Sequence, residues 1–210
     1  MSNNYLKPSF IPANQPKDLG RRKMLIAAAS AGSAIGVGFV AVPFLSTWLP
    51  SERAKAIGAP VTVDFSKLAE GALQSVLWQG KVVYILRRTP EMLATLDQVT
   101  DKLRDPNSKE SIQPEYADNE WRAERKDIGI MLGVCTHLGC APKLQSKEQG
   151  REERGDSSWL GGFFCPCHGS AYDYAGRVYK GVPAPTNLTV PPYHFTSDNV
   201  VVIGEGAKNG

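Results

Sequence analysis

The sequence predicts an all-β domain that follows one N-terminal transmembrane helix. Between residues 61 and 203, short alternating or apolar runs are separated by turn residues, a pattern typical of antiparallel β-strands. Residues 24–51 contain no charged side chain, and a helix of that length is long enough to cross a bilayer. The four cysteines and two of the three histidines lie in two short motifs, which predicts a small site-bearing part of the β domain at about residues 133–185.

The N-terminal region divides into a basic tail, an apolar segment and a linker. Residues 1–23 carry five basic side chains and one acidic side chain. Paired Arg21 and Arg22 before an apolar stretch are typical of a twin-arginine export signal, and equally of the positive flank of any membrane helix. No convincing cleavage site follows. We therefore expect a cytoplasmic tail over 1–23, a retained transmembrane helix over 24–50 and a flexible hinge over 51–60.

Composition and charge exclude two broad classes of protein. Residues 52–210 carry 19 basic and 20 acidic side chains, so the basic character of the chain comes from its tail. Nucleic-acid binding is typical of domains with a strongly basic face, and we exclude it here. Hydrophobic residues make up 42% of the chain and charged residues 21%, which excludes disorder of the whole chain.

The predicted strands end at turn residues. They span residues 61–65, 75–78, 81–87, 128–134, 189–195 and 200–203. Gln-Gly at residues 79–80 favours a tight hairpin turn between two of them. Thr89 and Pro90 suit the N-cap and the first position of a short helix. Residues 101–127 and 143–158 are rich in charge, and we expect an irregular segment and an exposed loop there.

The two motifs are C-T-H-L-G-C at residues 135–140 and C-P-C-H-G-S at residues 165–170. Attachment of a c-type haem requires C-x-x-C-H, and the second motif is one residue short. Zinc sites built from two cysteines and two histidines usually group the two residue types, whereas each motif here mixes them. Disulfides alone leave the histidines without a role. We favour a 2Fe–2S centre with mixed ligands, and structural zinc is the alternative that metal analysis would separate.

These motifs resemble those of the Rieske iron–sulfur proteins, and among them the iron–sulfur subunits of bacterial ubiquinol–cytochrome c reductases. The resemblance covers the twin-arginine segment, the linker, the β domain and both motifs. It implies one Rieske 2Fe–2S cluster per chain. The implied ligands are Cys135, His137, Cys165 and His168. The resemblance also implies a disulfide between Cys140 and Cys167.

The same resemblance implies roles for residues around the cluster. Hydroxyl donors to the cluster sulfurs are expected at Ser170 and Tyr172. The loops expected to flank the cluster contain Leu138, Gly139, Gly181, Pro183 and Pro185. His168 is expected to meet the quinol, with His137 as the second exposed ligand, whereas His194 is interpreted as structural.

The implied function is that of the electron-transfer subunit of a respiratory cytochrome bc complex. The chain would take one electron from ubiquinol at a cytochrome b subunit and pass it to a c-type cytochrome, with coupled proton release and translocation. The expected location is the bacterial inner membrane, in a dimeric complex, with the cluster domain in the periplasm. An oxidising periplasm agrees with a lasting disulfide.

Two other kinds of Rieske protein remain as alternatives. Oxygenase-type domains share the ligand motifs but lack the disulfide pair and the membrane anchor. The small Rieske subunit of another periplasmic oxidoreductase, of the arsenite oxidase type, is the closer alternative. A cleaved N-terminus would favour it, so the mass of the mature chain separates the two.

Overall fold

Antiparallel strands dominate the regular structure of the computed structural model, which describes residues 18–206. The strands within that range are β1 (Val61–Asp64), β2 (Leu73–Trp78), β3 (Lys81–Arg87), β4 (Ile128–Leu132), β5 (Lys143–Gln145), β6 (Gly162–Phe164), β7 (Ala171–Tyr172), β8 (Tyr193–Ser197) and β9 (Val200–Ile203). The helices are α1 (Leu19–Ser46), α2 (Glu52–Gly58), α3 (Pro90–Gln98) and α4 (Lys147–Arg154), with 3₁₀ turns at Thr100–Lys102 and Glu115–Ala117. The chain divides into two compact units, Met1–Glu52 and Arg53–Gly210.

The N-terminal helix begins earlier than the sequence predicts. The Asp18 carboxylate caps α1 by accepting a hydrogen bond from the backbone N–H of Arg21 at 3.0 Å. The arginine pair therefore lies inside the first turn rather than before the helix, and the helix also ends short of residue 50. Its 28 residues are long and apolar enough to cross a membrane. Residues 1–17 of the predicted cytoplasmic tail lie outside the described residues.

The predicted hinge over residues 51–60 contains the short helix α2. Alanine is the residue with the highest helix propensity, which explains a helical turn in this Ala-rich segment. Pro60 lies just beyond the helix, where it cannot continue the hydrogen-bond ladder.

The described strands of the C-terminal unit form three antiparallel sheets of three strands each. The strand orders are β1–β9–β8, β2–β3–β4 and β5–β6–β7. Gln79 and Gly80 turn the β2–β3 hairpin with positive φ of 50° and 71°, which confirms the predicted tight turn. Strand β8 begins later than the predicted residue 189, because Pro191 and Pro192 have no N–H to donate to a sheet.

Two hydrophobic cores lie on opposite faces of the β2–β3–β4 sheet. Val83 and Ile85 pack into the first core, with residues of β1, β8 and β9. Tyr84 and Leu86, which alternate with them along β3, pack into the second core. Strands buried on both faces are typically apolar, as β4 is along its whole length and β3 is between Lys81 and Arg87. The second core also contains Tyr172 and the two cysteines that begin the motifs, so it positions the site.

The short helix predicted after β3 is confirmed as α3. The Thr89 hydroxyl oxygen accepts a hydrogen bond from the backbone N–H of Met92 at 3.2 Å, and Pro90 occupies the first turn. Leu96 and Val99 are the buried residues on the inner face of this segment.

One of the two charged segments agrees with the prediction and the other does not. Residues 101–127 are irregular, as expected, but they pack into the domain, and Arg122 is fully buried there. The exposed loop predicted over residues 143–158 is wrong, because this segment forms β5 and α4. Ser146 and Gln149 form a reciprocal capping box at the start of α4, a sequence signal that identifies such a helix.

Candidate metal centre

The first cysteine motif folds into a tight loop, the first cluster loop (residues 135–140). The backbone N–H of Gly139 donates to the carbonyl of Cys135 at 2.9 Å, and the N–H of Cys135 donates to the carbonyl of Cys140 at 2.7 Å. Gly139 has a φ of 84°, in the left-handed region that favours glycine. The loop therefore closes on itself, and its backbone is fixed by its own hydrogen bonds.

The second motif forms an equivalent loop, the second cluster loop (residues 165–170). Here Gly169 donates to the carbonyl of Cys165 at 3.0 Å, and the N–H of Cys165 donates to the carbonyl of Ser170 at 2.8 Å. Gly169 has a φ of 78°. Sequence reasoning missed this equivalence, although both loops share a cysteine followed four residues later by a glycine.

The structure brings the four predicted ligands together. Cys135 and Cys165 are buried free thiols, and the rings of His137 and His168 lie perpendicular with centroids 4.8 Å apart. Nδ1 of His137 is buried and has no hydrogen-bond partner. An orphaned buried nitrogen is costly unless it binds something, so it suits a metal ligand. Two thiolates and two imidazoles are the donor set of a Rieske 2Fe–2S cluster, and these residues fit it.

A disulfide joins Cys140 of the first cluster loop to Cys167 of the second, as the resemblance implies. The sulfur atoms of Cys140, Cys165 and Cys167 lie within 4.8 Å of one another. Three thiolates this close would suit a metal such as zinc, but two of these sulfurs are consumed by the disulfide. The remaining thiols are those of the two predicted ligand cysteines.

The Tyr172 hydroxyl lies 3.2 Å from Sγ of Cys135. The same hydroxyl oxygen accepts a hydrogen bond from the backbone N–H of Thr136, also at 3.2 Å. Burial raises the pKa of Tyr172, and the neighbouring Cys135 raises it further, so the hydroxyl keeps its proton. The Thr136 hydroxyl oxygen also lies 3.3 Å away, but a deprotonated Cys135 sulfur can only accept, so the tyrosine proton is suited to a hydrogen bond to that sulfur.

The two free thiols have different surroundings. Burial is the largest influence on Cys135 and opposes ionisation, but hydrogen bonds from the Tyr172 hydroxyl and the His137 backbone N–H help to hold the pKa of Cys135 below its ordinary value. Burial raises the pKa of Cys165, and the adjacent Cys135 raises it further. Side-chain hydroxyls therefore stabilise a thiolate at Cys135, whereas the donors that favour a thiolate at Cys165 are the backbone N–H groups of Cys167 and His168.

Ser170, the other predicted hydroxyl donor, is fully buried. Its oxygen accepts a hydrogen bond from the backbone N–H of Ala184 at 3.1 Å, which leaves its own proton available to a sulfur. This hydroxyl is one of the groups that lower the pKa of Cys135.

The proline loop (residues 181–185) is tied to both cluster loops. The Ala184 contact joins it to the second loop, and the Thr136 hydroxyl of the first loop donates to the carbonyl of Thr186 at 2.7 Å. Its exposed residues are Gly181, Pro183 and Pro185. The stiff prolines therefore flank the site from a third direction.

The exposed residues of the two cluster loops lie at the tips of the loops. Leu138 is 71% exposed, and Gly139 and His168 are exposed as well, whereas His137 is partly buried. His194 is separate from the site, because its Nδ1 lies 3.3 Å from the carbonyl oxygen of Glu205. An exposed leucine beside exposed imidazole is suited to contact with an apolar molecule that carries a polar group.

Comparison with known proteins agrees with this geometry. Residues 112–193 match the family described as the Rieske [2Fe-2S] domain. Residues 11–51 match the family described as the Ubiquitinol-cytochrome C reductase Fe-S subunit TAT signal. The C-terminal unit is thus a Rieske-type 2Fe–2S domain, and the chain is an iron–sulfur electron-transfer protein.

Relatives extend the match to most of the chain. The ubiquinol-cytochrome c reductase iron-sulfur subunit of Allochromatium vinosum is 48% identical over 88% of this chain and 88% of the relative. That of Bradyrhizobium diazoefficiens is 40% identical over 88% of this chain and 94% of the relative. The chain belongs to the family of ubiquinol-cytochrome c reductase iron-sulfur subunits. It is a membrane-anchored oxidoreductase component of a bc complex.

A solved structure titled "Hyperthermophilic respiratory Complex III" contains a chain with 25% identity. The similarity covers 84% of this chain and 97% of that chain, with a TM-score of 0.46. The family assignment rests on the relatives with higher identity.

Proposed function

We propose that the chain takes one electron from ubiquinol bound to a cytochrome b subunit and passes it to a c-type cytochrome. One observation carries the proposal: His168 is exposed on a loop that the disulfide ties to the loop of exposed Leu138, while both ligand thiols are buried. A hydrophobic molecule with a hydroxyl group can reach a ligand imidazole there without reaching the thiols. The names of the relatives support ubiquinol and a cytochrome c as the two redox partners.

Four side chains would hold the cluster. Cys135 and Cys165 would bind one iron as thiolates, and His137 and His168 would bind the other as neutral imidazoles. When bound, the cluster supplies a one-electron acceptor of raised potential, because imidazoles bring less negative charge than thiolates. His137 is suited to binding through Nδ1, the buried atom without a partner, which leaves Nε2 for a proton.

His168 would carry the proton of the quinol. Its ring is exposed, and the nitrogen that would not bind iron can accept a hydrogen bond from a quinol hydroxyl once it has lost its own proton, a loss that the positive charge of an oxidised iron would favour. As the quinol is oxidised, its proton moves to that nitrogen and later to solvent. Leu138 and the exposed residues of the proline loop would contact the apolar part of the quinol and exclude water.

The proposed location is the bacterial inner membrane, with the cluster domain in the periplasm. Basic residues flank membrane helices on the cytoplasmic side, which supports a cytoplasmic N-terminus for α1. The exposed Cys167 would leave the disulfide open to reduction in the cytosol, whereas it persists in the periplasm. Residues 51–60 would act as the hinge between membrane and domain, within a dimeric complex.

A redox titration over a wide pH range tests the role of the histidines. We expect a midpoint potential that is level in mild acid and then falls by about 59 mV per pH unit for each coupled proton, the one-electron equivalent of a tenfold change. Two histidines allow up to about twice that slope. A potential that stays level to strongly alkaline pH would remove His168 from proton transfer. The mass of the mature chain, if full length, separates this function from that of a cleaved periplasmic subunit.

A further inference from the structure

A group of buried charges lies directly behind the tyrosine that contacts the cluster site. Among residues 18–206, the buried charged side chains are Arg88, Asp105, Arg122, Asp173 and Arg177. We call these five residues the buried charge network. Three guanidinium groups and two carboxylates leave an excess of one positive charge. Burying an uncompensated charge is costly, so this excess requires an explanation.

One ion pair within the network is neutral and closes a turn. Asp173 follows Tyr172 in the chain, and its carboxylate accepts a hydrogen bond from Nε of Arg177 at 2.7 Å. The other carboxylate oxygen accepts the backbone N–H groups of Ala175 and Arg177 at 2.9 and 2.8 Å. The side chains of the pair are only 1% and 3% exposed. This pair fixes the turn of residues 173–177 directly after the tyrosine.

The other two arginines contact the same turn. Arg88 donates from Nε to the carbonyl of Tyr174 at 3.1 Å, and Arg122 donates from Nη1 to the carbonyl of Ala175 at 3.3 Å. Nη2 of Arg88 and Nε of Arg122 are buried without a hydrogen-bond partner. A Cβ on Gly129 would lie within 2.5 Å of the Arg88 guanidinium, so only glycine admits Arg88 there. Arg88 also donates from Nη1 to the carbonyl of Lys126 at 3.1 Å, and Arg122 donates from Nη2 to Oε1 of Gln113 at 3.3 Å. Each guanidinium nevertheless keeps one buried nitrogen without a partner, which is costly.

Both arginines remain charged near neutral pH. Burial lowers the pKa of Arg88 to about 10 and that of Arg122 to about 10. Asp173 opposes this decrease for both groups, and Asp105 opposes it for Arg122. The excess positive charge is therefore a permanent property of the folded domain under physiological conditions.

The turn that these arginines contact lies in the same hydrophobic core as the cluster site, because that core contains Tyr174 and Ala175 as well as both ligand cysteines. Tyr172 joins the two, since its hydroxyl lies 3.2 Å from Sγ of Cys135 and its main chain continues into the turn. Its ring shares the second core with Met131 and both ligand cysteines, all of them buried. Charges interact strongly through such an interior, because neither the solvent dielectric nor salt screens them.

Reduction of the cluster adds one electron and forms no bond, so the site gains one negative charge. We propose that the excess positive charge of the buried charge network, held by Arg88 and Arg122, raises the midpoint potential of the 2Fe–2S cluster by stabilising its reduced state. This proposal rests on the ligand assignment above. The two arginines touch neither cluster nor substrate, and they act as tuning residues through the interior behind Tyr172.

Variants of opposite charge test the proposal in the full-length chain. Arg122→Gln removes one buried positive charge but keeps an amide donor, and we expect a lower midpoint potential. Asp105→Asn removes one buried negative charge of the same network, and we expect a higher potential. Arg125→Gln is the matched control, because it removes an arginine three residues away whose side chain is 35% exposed and paired with Asp127. Its potential should stay close to that of the wild type.

The measurement is an EPR-monitored redox titration at one fixed pH, with cluster content and near-ultraviolet circular dichroism as checks on folding. Opposite shifts in Arg122→Gln and Asp105→Asn support the proposal, because a general loss of packing has no reason to change sign with charge. Shifts in the same direction, or equal shifts in Arg122→Gln and Arg125→Gln, overturn it. If Arg122→Gln does not fold, the direction found for Asp105→Asn decides. Absence of a Rieske-type signal in the wild type would instead refute the ligand assignment.

Discussion

The two cluster loops have the same backbone but different surroundings. Each closes through a glycine with positive φ and two main-chain hydrogen bonds to its leading cysteine. In the first loop, Tyr172 contacts Cys135 and lowers the pKa of that thiol. The second loop leaves the pKa of Cys165 raised and exposes His168 to solvent.

This difference separates two tasks that a redox site must perform. Hydrogen bonds to a buried sulfur stabilise negative charge, so the first loop is suited to setting the potential of the cluster. An exposed imidazole can meet a second molecule, so the second loop is suited to contact with the quinol. The two cluster loops have similar backbones that position the ligands. Their different surroundings suit the first loop to setting the potential and the second loop to contact with the quinol.

The two ligand cysteines should be equally necessary for cluster assembly, despite their different surroundings. Cys135→Ser and Cys165→Ser are each expected to abolish the cluster, because each removes one thiolate of the pair that holds one iron. Iron content and visible absorption measure the loss. His194→Gln is the control, since this histidine lies outside the site, and its cluster content should be normal. A cluster that assembles in either serine variant would contradict the ligand assignment.

Loss of either disulfide cysteine should destabilise the domain by the same amount, because both cysteines form the same bond. Cys140→Ser, Cys167→Ser and the double variant should each lower the free energy of unfolding by about 2–4 kcal/mol, the usual contribution of a native disulfide. Cluster lifetime should decrease in all three. The decisive comparison is the double variant, whose loss should equal that of either single variant. Additive losses would mean that the two sulfurs act separately.

Removal of a hydroxyl donor should change the midpoint potential by different amounts at Tyr172 and at Ser170. Tyr172→Phe is expected to lower the midpoint potential, by about 59 mV if its hydrogen bond is stronger by about 1.4 kcal/mol in the reduced state. Ser170→Ala should lower it less, because the Ser170 hydroxyl lowers the pKa of Cys135 less than the Tyr172 hydroxyl does. Tyr116→Phe is the control: its hydroxyl donates to the carbonyl of Tyr193 at 2.7 Å beside the first core. Equal potentials for Tyr172→Phe and Tyr116→Phe would refute the donor role.

The smallest effect on stability is expected at the two loop glycines, where the backbones of the loops are most alike. Gly139→Ala and Gly169→Ala place a Cβ in open space, so each should cost only the backbone strain of a φ near 80°, about 1 kcal/mol. Chemical denaturation measures this loss. Gly206→Ala also meets open space but has no such φ, and its stability should be unchanged. Clearly unequal losses would show that the two loops are not equivalent in backbone energy.

Local patterns allowed much of the fold to be predicted. The β2–β3 turn, the cap of α3 and the buried strand β4 depend on neighbouring residues, and the structure confirms each of them. The segment 143–158 shows the limit, because its charge suggested a loop while its capping box specified a helix. The start of α1 was also set by a cap, the Asp18 side chain, rather than by the end of the apolar run.

The sequence by itself determined which residues could form the site, because ligand chemistry depends on residue type and short spacing. Both motifs, the membrane segment and the hydroxyl residues can be identified without coordinates. The tertiary structure alone decided the different surroundings of Cys135 and Cys165, since burial and the Tyr172 contact arise from strands distant in sequence. It alone also gathered Arg88, Arg122 and Arg177 around one turn. Desolvation and long-range Coulomb interactions are properties of packing, and no local pattern specifies them.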